Sequence, residues 1–125
     1  MLPSIGLVLS VEMIRDGGSL AGVFQGSNGS EYWLFFEHDS RQLPSGHVER
    51  LGYKTPVVIE RQIGRPLSVS WEQATIMLHQ MRPLVPDQAS LEWLETMEAV
   101  ANTRGKLPGG MARVLGPVKS LRDGA

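Results

Sequence analysis

The side chains best able to do chemistry lie in one short stretch of the chain. Glu37, His38 and Asp39 are consecutive, and His47 and Glu49 follow soon after. Imidazole and carboxylate groups bind transition metals and act as general acids and bases. Their spacing matches no helical metal-binding motif, and consecutive strand residues point to opposite faces. We therefore interpret them as solvated residues at a strand end. A small metal-dependent or acid–base hydrolase using His38, His47 and Glu49 stays open as an alternative.

Nucleophilic catalysis finds little support in the sequence. The chain has no cysteine, which excludes thiolate catalysis and disulfide bonds and agrees with a reducing, cytoplasmic location. Ser45 and His47 would need a separately placed carboxylate to resemble a catalytic triad, and the sequence has no Gly-x-Ser-x-Gly turn to expose a nucleophilic serine. We predict no catalytic residue, no metal ligand and no cofactor.

Charge is the most informative part of the composition. The net charge is −1, but it is unevenly distributed along the 125 residues. Residues 70–103 hold five acidic side chains and one basic side chain, a net charge of −4. Residues 104–125 hold five basic side chains and one acidic side chain, a net charge of +4. Such asymmetry indicates an interaction with a charged partner.

Candidate partner-binding residues follow from this charge pattern. An acidic group recurs at every third position of one helix, the first helix carries an apolar residue on its polar side, and the C-terminal segment is basic. Acidic faces are typical of solvated helices but also attract basic partners. The candidates are Glu92, Glu95, Glu98, Ile76, Arg113, Lys119 and Arg122.

The elements that would position these residues begin with strands. Residues 5–14 alternate between apolar and other side chains, and residues 20–25 and 31–38 follow after turn sequences at 16–18 and 26–30. Alternation with a period of two predicts strands, and short Gly- and Asn-rich connections predict an antiparallel meander. We interpret Gly22 as the site of a bulge. The aromatic residues of 31–38 favour core packing on both sheet faces over a nucleic-acid stacking platform, because acidic residues flank them.

The next stretch is harder to interpret. Residues 39–56 are long for a loop without structure, so they contain either a short strand near 47–51 or a functional loop. Residues 57–63 alternate again and predict a further strand that ends at Gly64.

Two helices are predicted after the strands. Ser70 and Gln73 fit a capping box, and Pro83 ends the first helix. Asp87 or Ser90 caps the second, which ends near Gly105. The two apolar stripes predict packing on one sheet face; they are Trp71, Ala74, Met77, Leu78 and Met81 in the first helix and Trp93, Leu94, Met97, Val100 and Ala101 in the second.

The predicted architecture is an α+β domain: a mainly antiparallel β-meander of four to five strands, followed by two helices packed on one sheet face. Residues 1–104 form this single domain, and residues 105–125 form a basic Gly/Pro-rich flexible tail with at most a short turn. No segment is long and apolar enough to span a membrane, and the start of the chain does not resemble a signal peptide.

The sequence favours a non-enzymatic, small, cytoplasmic binding protein, an inhibitor or adaptor that acts through a protein–protein surface. Immunity and anti-defence inhibitors share this general character, which is an analogy of size and composition. A nucleic-acid-binding accessory protein that uses the basic tail is the alternative, with the hydrolase as the second alternative. We expect another protein as the partner, no membrane association, and allow for a homodimer.

Overall fold

The strands and helices follow the predicted order. The computed structural model describes residues 4–14, 19–106 and 113–117. Six strands, two α-helices and one 3-10 turn occupy this part of the chain: β1 Ile5–Ile14, β2 Ser19–Gly26, β3 Glu31–Gln42, β4 His47–Glu60, β5 Pro66–Ser68, α1 Trp71–Met81, the 3-10 turn Arg82–Leu84, α2 Gln88–Asn102 and β6 Arg113–Pro117.

One antiparallel sheet contains all six strands. Its order is β1-β2-β3-β4-β5. β5 pairs with residues 57–59 of β4, and β6 pairs with residues 47–50 of the same strand. Each of the first four connections joins neighbouring strands, as expected of a meander. The α+β class, the antiparallel sheet and the two following helices are therefore confirmed.

A long hairpin replaces the ambiguous stretch at 39–56. β3 continues to Gln42 and β4 starts at His47, and a short turn joins them. The turn places Gly46 at φ 87°, a left-handed conformation that glycine adopts without a Cβ clash. The hidden strand was thus one of two predicted alternatives, but it is much longer than 47–51. Both strands extend beyond the paired part of β2, which reaches Leu34 of β3.

β4 ends earlier than the sequence predicts. The expected strand at 57–63 stops at Glu60, and residues 61–63 form a turn in which the Gly64 amide donates to the Glu60 carbonyl at 2.7 Å. Gly64 has φ 72°. Residues 61–63 are all exposed in this turn. The alternation of polar and apolar side chains therefore continues past the end of the strand. β5, only three residues long and starting at a proline, was not predicted.

The turn between β2 and β3 has the predicted chemistry. Gly29 lies at φ 87°, and the side-chain oxygen of Asn28 accepts from the Ser30 amide at 3.1 Å. The predicted turn at 16–18 lies outside the described residues. The predicted bulge at Gly22 is wrong, because Gly22 pairs regularly with Val11 and the irregularities fall on β1, between residues 5 and 7 and between 8 and 10.

Side-chain caps begin both helices as predicted. Ser70 Oγ accepts from the Gln73 amide at 3.0 Å, and Asp87 Oδ1 accepts from the Ser90 amide at 2.9 Å. These bonds satisfy amides that have no partner within a helix. Pro83 lies in the 3-10 turn directly after α1. None of the helices in the described ranges has the length and apolar character needed to cross a bilayer.

The helices cover one face of the sheet, as predicted. The buried core joins side chains of β1 to β4 with the apolar stripes of both helices: Val8, Phe24, Tyr32, Leu34, Phe36, Val58, Ala74, Met77, Leu78, Met81, Trp93, Leu94, Met97 and Ala101. Trp71 and Val100 pack at its margin. Burial of these side chains supplies the main favourable free energy of folding.

The C-terminal segment contains a strand that the sequence analysis did not predict. Gly105 follows α2 at φ 82°, and its carbonyl accepts from the Tyr53 amide of β4 at 2.7 Å. Arg113–Pro117 then pairs antiparallel with β4, with Arg113 opposite Arg50. Main-chain pairing needs no apolar periodicity, which explains why composition did not reveal β6. Flexibility of the rest of residues 105–125 stays a prediction.

Candidate functional site

The histidines and carboxylates of the β3–β4 hairpin are spread along its length. His38 lies opposite Tyr53, and their rings are 4.8 Å apart. His47 begins β4 beside the turn. Tyr53 is six positions after His47 in β4, which corresponds to about 20 Å along a strand. One small active site therefore does not contain both imidazoles.

Each of the remaining candidates at the hairpin tip has its own local partner. Ser45 Oγ lies 2.8 Å from His47 Nδ1, and Glu49 forms an ion pair with Arg41 on the opposite strand. Both pairs are on exposed parts of the hairpin. Within the described ranges, no group of three or more His, Asp or Glu side chains is close enough to hold a metal ion.

Two of the three acidic candidates are exposed on the helix pair. Glu92 and Glu95 of α2 are exposed, and so are Glu72, Ile76 and His79 of α1. Positions 72, 76 and 79 follow the i, i+4, i+7 spacing of one helix stripe. We call these five residues the outer helix face. Ile76 is 51% exposed, which places an apolar group within this polar surface.

Glu98 differs from the other two predicted glutamates of α2. It is half-buried in the groove between the helices, where it forms an ion pair with Arg82, and its Oε2 accepts from Arg82 Nε at 3.3 Å. This hydrogen bond raises the pKa of the Arg82 guanidinium; the negative charges of Glu98 and Glu95 add to the rise, and partial loss of hydration opposes it. Glu98 therefore links α2 to the 3-10 turn that follows α1, and its charge is paired.

The groove around this ion pair is a shallow cleft of about 260 Å³. Its walls mix polar and apolar side chains: Thr75, Leu78, His79, Arg82, Glu98, Ala101 and Asn102. Ligand pockets are usually larger and more apolar, with volumes of roughly 300–1,000 Å³. This cleft is thus smaller and more polar than a typical ligand pocket, and it lies where the two helices meet.

One of the three basic candidates lies within the described residues, on β6. Arg113 is the first residue of β6, and its Cα partner on β4 is Arg50. The structure thereby brings two basic residues onto neighbouring strands. Lys119 and Arg122 lie outside the described residues.

The sheet face opposite the helices also carries large apolar side chains. Val23, Trp33 and Ile59 lie side by side on β2, β3 and β4, and Phe35 lies opposite Val57. Residues directly opposite one another share a face. We call these five residues the second sheet face. Core packing on both sheet faces was predicted, but the helices pack on the other one.

Burial on the second sheet face is graded. Val23 and Val57 are 1% and 3% exposed, whereas Trp33, Phe35 and Ile59 are half-buried. The signal in the sequence was the odd-numbered set of β3, which is as aromatic as the even-numbered set. A strand with apolar side chains on both faces is typical of a strand that is buried on both faces. The sequence does not show which of the two faces the helices cover.

Arg61 lies across this face. The Arg61 guanidinium carbon lies 5.2 Å from the centre of the Trp33 ring. Its Nη1 lies 2.8 Å from Glu31 Oε1 and 3.5 Å from Glu12 Oε2. Glu12 belongs to β1, and Glu31 and Trp33 belong to β3, so Arg61, in the turn after β4, contacts two strands through charge and ring contact.

Comparisons of the chain with protein-family models, with curated protein sequences and with solved structures found no match.

Proposed function

We propose that this chain is a small, non-enzymatic, cytoplasmic binding protein, an inhibitor or adaptor, whose outer helix face binds a basic surface of another protein. The observation that carries the proposal is the state of Glu92 and Glu95. Both are exposed on the same side of α2, and among the described residues no cation lies within ion-pair distance of either.

Charges that have no ion-pair partner among the described residues are the ones a binding partner can use. Glu98 is held by Arg82, and Glu72 lies 4.0 Å from Arg104. Glu92 and Glu95 therefore dominate the field of the outer helix face. Complementary charge accelerates encounter and selects the partner, while an exposed apolar side chain such as Ile76 adds contact area.

An enzymatic function has weaker support from the geometry. Catalysis by a histidine requires a second group within hydrogen-bond reach of a shared substrate. His38 packs on Tyr53, whereas His47 contacts Ser45 at the hairpin tip and Glu49 pairs with Arg41. The protein-binding proposal needs no such convergence.

Quantitative affinity capture tests the proposal. The full chain and the variant Glu92→Lys with Glu95→Lys are expressed with a tag in cells of the source organism, and captured proteins are compared by mass spectrometry. A matched control, Asp39→Lys with Glu60→Lys, makes the same change in net charge on the sheet.

We expect at least one basic protein to be captured by the wild type and the control but lost with the helix variant. The purified partner should bind more weakly as salt rises, since the Debye length falls from about 10 Å at 0.1 M to about 3 Å at 1 M. Equal capture by all three chains would refute the role of the outer helix face.

A nucleic-acid-binding function is the second candidate, and one observation favours it. Arg113 of β6 lies opposite Arg50 of β4, so two basic residues share the edge of the hairpin. Binding to phosphates would show as a steep loss of affinity for labelled single-stranded DNA or RNA with rising salt. Arg50→Ala with Arg113→Ala should then reduce that slope, whereas Glu92→Lys should not.

A further inference from the structure

We propose that the second sheet face is a separate docking surface for a partner's peptide segment that has an apolar centre and flanking basic side chains. The floor is formed by Trp33, Phe35 and Ile59, which are half-buried. Glu31 is two positions before Trp33 on β3, Glu12 lies on β1 opposite Ala21, and both carboxylates reach the Arg61 guanidinium. This surface lies on the opposite side of the sheet from the helices, so it goes beyond the proposed binding to the outer helix face.

Arg61 shows which chemistry this surface accepts. Its guanidinium sits over the Trp33 ring at 5.2 Å and is within 2.8 Å of Glu31 Oε1 and 3.5 Å of Glu12 Oε2. An aromatic ring beside two carboxylates is an arrangement that binds arginine and lysine side chains. Arg61 is 37% exposed, so solvent reaches it and a partner's cation can replace it.

The charges around the floor favour a basic peptide over a second copy of this chain. Among the described residues, Glu12 and Glu31 form ion pairs with Arg61 and Glu37 forms one with Lys54, so three carboxylates share two cations. Two copies placed face to face would bring the same excess of carboxylates together, which is repulsive. A segment with arginine or lysine at its ends instead offers each carboxylate a partner.

Fluorescence anisotropy with the full chain tests this inference. The probe is a short labelled peptide with an apolar centre and arginine at both ends, and the comparison peptide has glutamate at both ends. We expect saturable binding of the arginine peptide alone. Glu12→Gln with Glu31→Gln should weaken it by about tenfold, as expected for losing charge-assisted hydrogen bonds.

Two further variants separate this surface from the outer helix face. Glu92→Gln with Glu95→Gln makes the same change in net charge and should leave the peptide affinity unchanged. Arg61→Ala removes the resident cation and should strengthen binding of the arginine peptide several-fold. If the Glu12/Glu31 variant does not fold, the peptide affinity of Arg61→Ala tests the inference by itself.

Three results would overturn the inference: equal binding of both peptides, a loss of affinity in the helix variant as large as that in the Glu12/Glu31 variant, or weaker binding after Arg61→Ala. Sedimentation that shows a dimer dispersed by Trp33→Ser would assign the surface to a second copy instead. Failure of this proposal leaves the outer helix face untouched, because the capture experiment uses neither Glu12 nor Glu31.

Discussion

The indole ring of Trp93 lies directly on the backbone of Gly22: a Cβ atom at position 22 would come within 2.4 Å of the ring carbon Cη2. The same ring donates from Nε1 to the Leu20 carbonyl at 3.2 Å. Trp93 is 5% exposed, so it has little room to move. The close contact between α2 and β2 therefore depends on a glycine at position 22.

A double-mutant cycle measures this contact. Trp93→Ala should lower the free energy of unfolding by about 3–5 kcal/mol through loss of a buried aromatic. Gly22→Ala should lower it by about 1–3 kcal/mol because the ring must shift. In the Trp93→Ala background, Gly22→Ala should be nearly neutral. Urea denaturation of the four proteins gives the coupling energy, and simple additivity would show that the ring does not need Gly22.

Gly105 fixes the end of α2 to β4 and should not tolerate a side chain. A Cβ there would lie 2.4 Å from the Tyr53 carbonyl oxygen and 2.6 Å from Cζ2 of Trp71, and the residue has φ 82°. Gly105→Ala should lower the free energy of unfolding by about 1–3 kcal/mol, since both the backbone and the packing oppose it. Gly46→Ala serves as the control: it has φ 87° but nothing within 4 Å of the added Cβ. Thermal denaturation should show the larger loss at Gly105; equal losses would mean that conformation alone matters.

Asp87 predicts a specific pH dependence of stability. The hydrogen bond from the Ser90 amide lowers the pKa of the Asp87 carboxyl. A lowered pKa in the folded state adds stability above the pKa of the unfolded chain, and this stability is lost as pH falls through the folded value. Asp87→Ala should therefore lower Tm at neutral pH, and its difference from the wild type should shrink on acidification. A difference that stays constant down to about pH 2 would exclude this cap as the cause.

Truncation after Lys106 should remove β6 and keep the helix-covered core. The core residues all precede position 102, so we expect a cooperative transition with a slightly lower Tm. Hydrogen exchange followed by mass spectrometry should become faster at residues 47–50, which pair with β6, and stay slow at 57–59, which pair with β5. Global unfolding of the truncated chain would show that the C-terminal segment belongs to the core.

The sequence predicted those parts of the fold that local physics determines. Caps at Ser70 and Asp87 and the apolar stripe around Trp93 follow from hydrogen bonding and helical periodicity. Gly22 was misread because a glycine in a strand indicates either a bulge or a close contact, and the residue that approaches it is 71 positions away. β6 was missed because edge pairing depends on main-chain hydrogen bonds that composition does not report.

The candidate site was predictable only as a charge pattern. Helical spacing placed Glu92, Glu95 and Glu98 on one side of α2, but the separation of Glu98 from the others depends on Arg82, which the tertiary fold brings beside it. Arg61 over Trp33 likewise joins the turn after β4 to β3. Such contacts between distant residues have no signature in a single sequence.

The most direct measurement of the central proposal is a residue-by-residue NMR map of the full chain, with and without the captured basic partner. Binding through the outer helix face predicts amide shift changes concentrated at residues 72–79 of α1 and 92–99 of α2, and their loss in Glu92→Lys with Glu95→Lys. The proposal would be contradicted if the partner binds but the amide shift changes are confined to β6 and residues 47–50, while the amides of α1 and α2 do not shift.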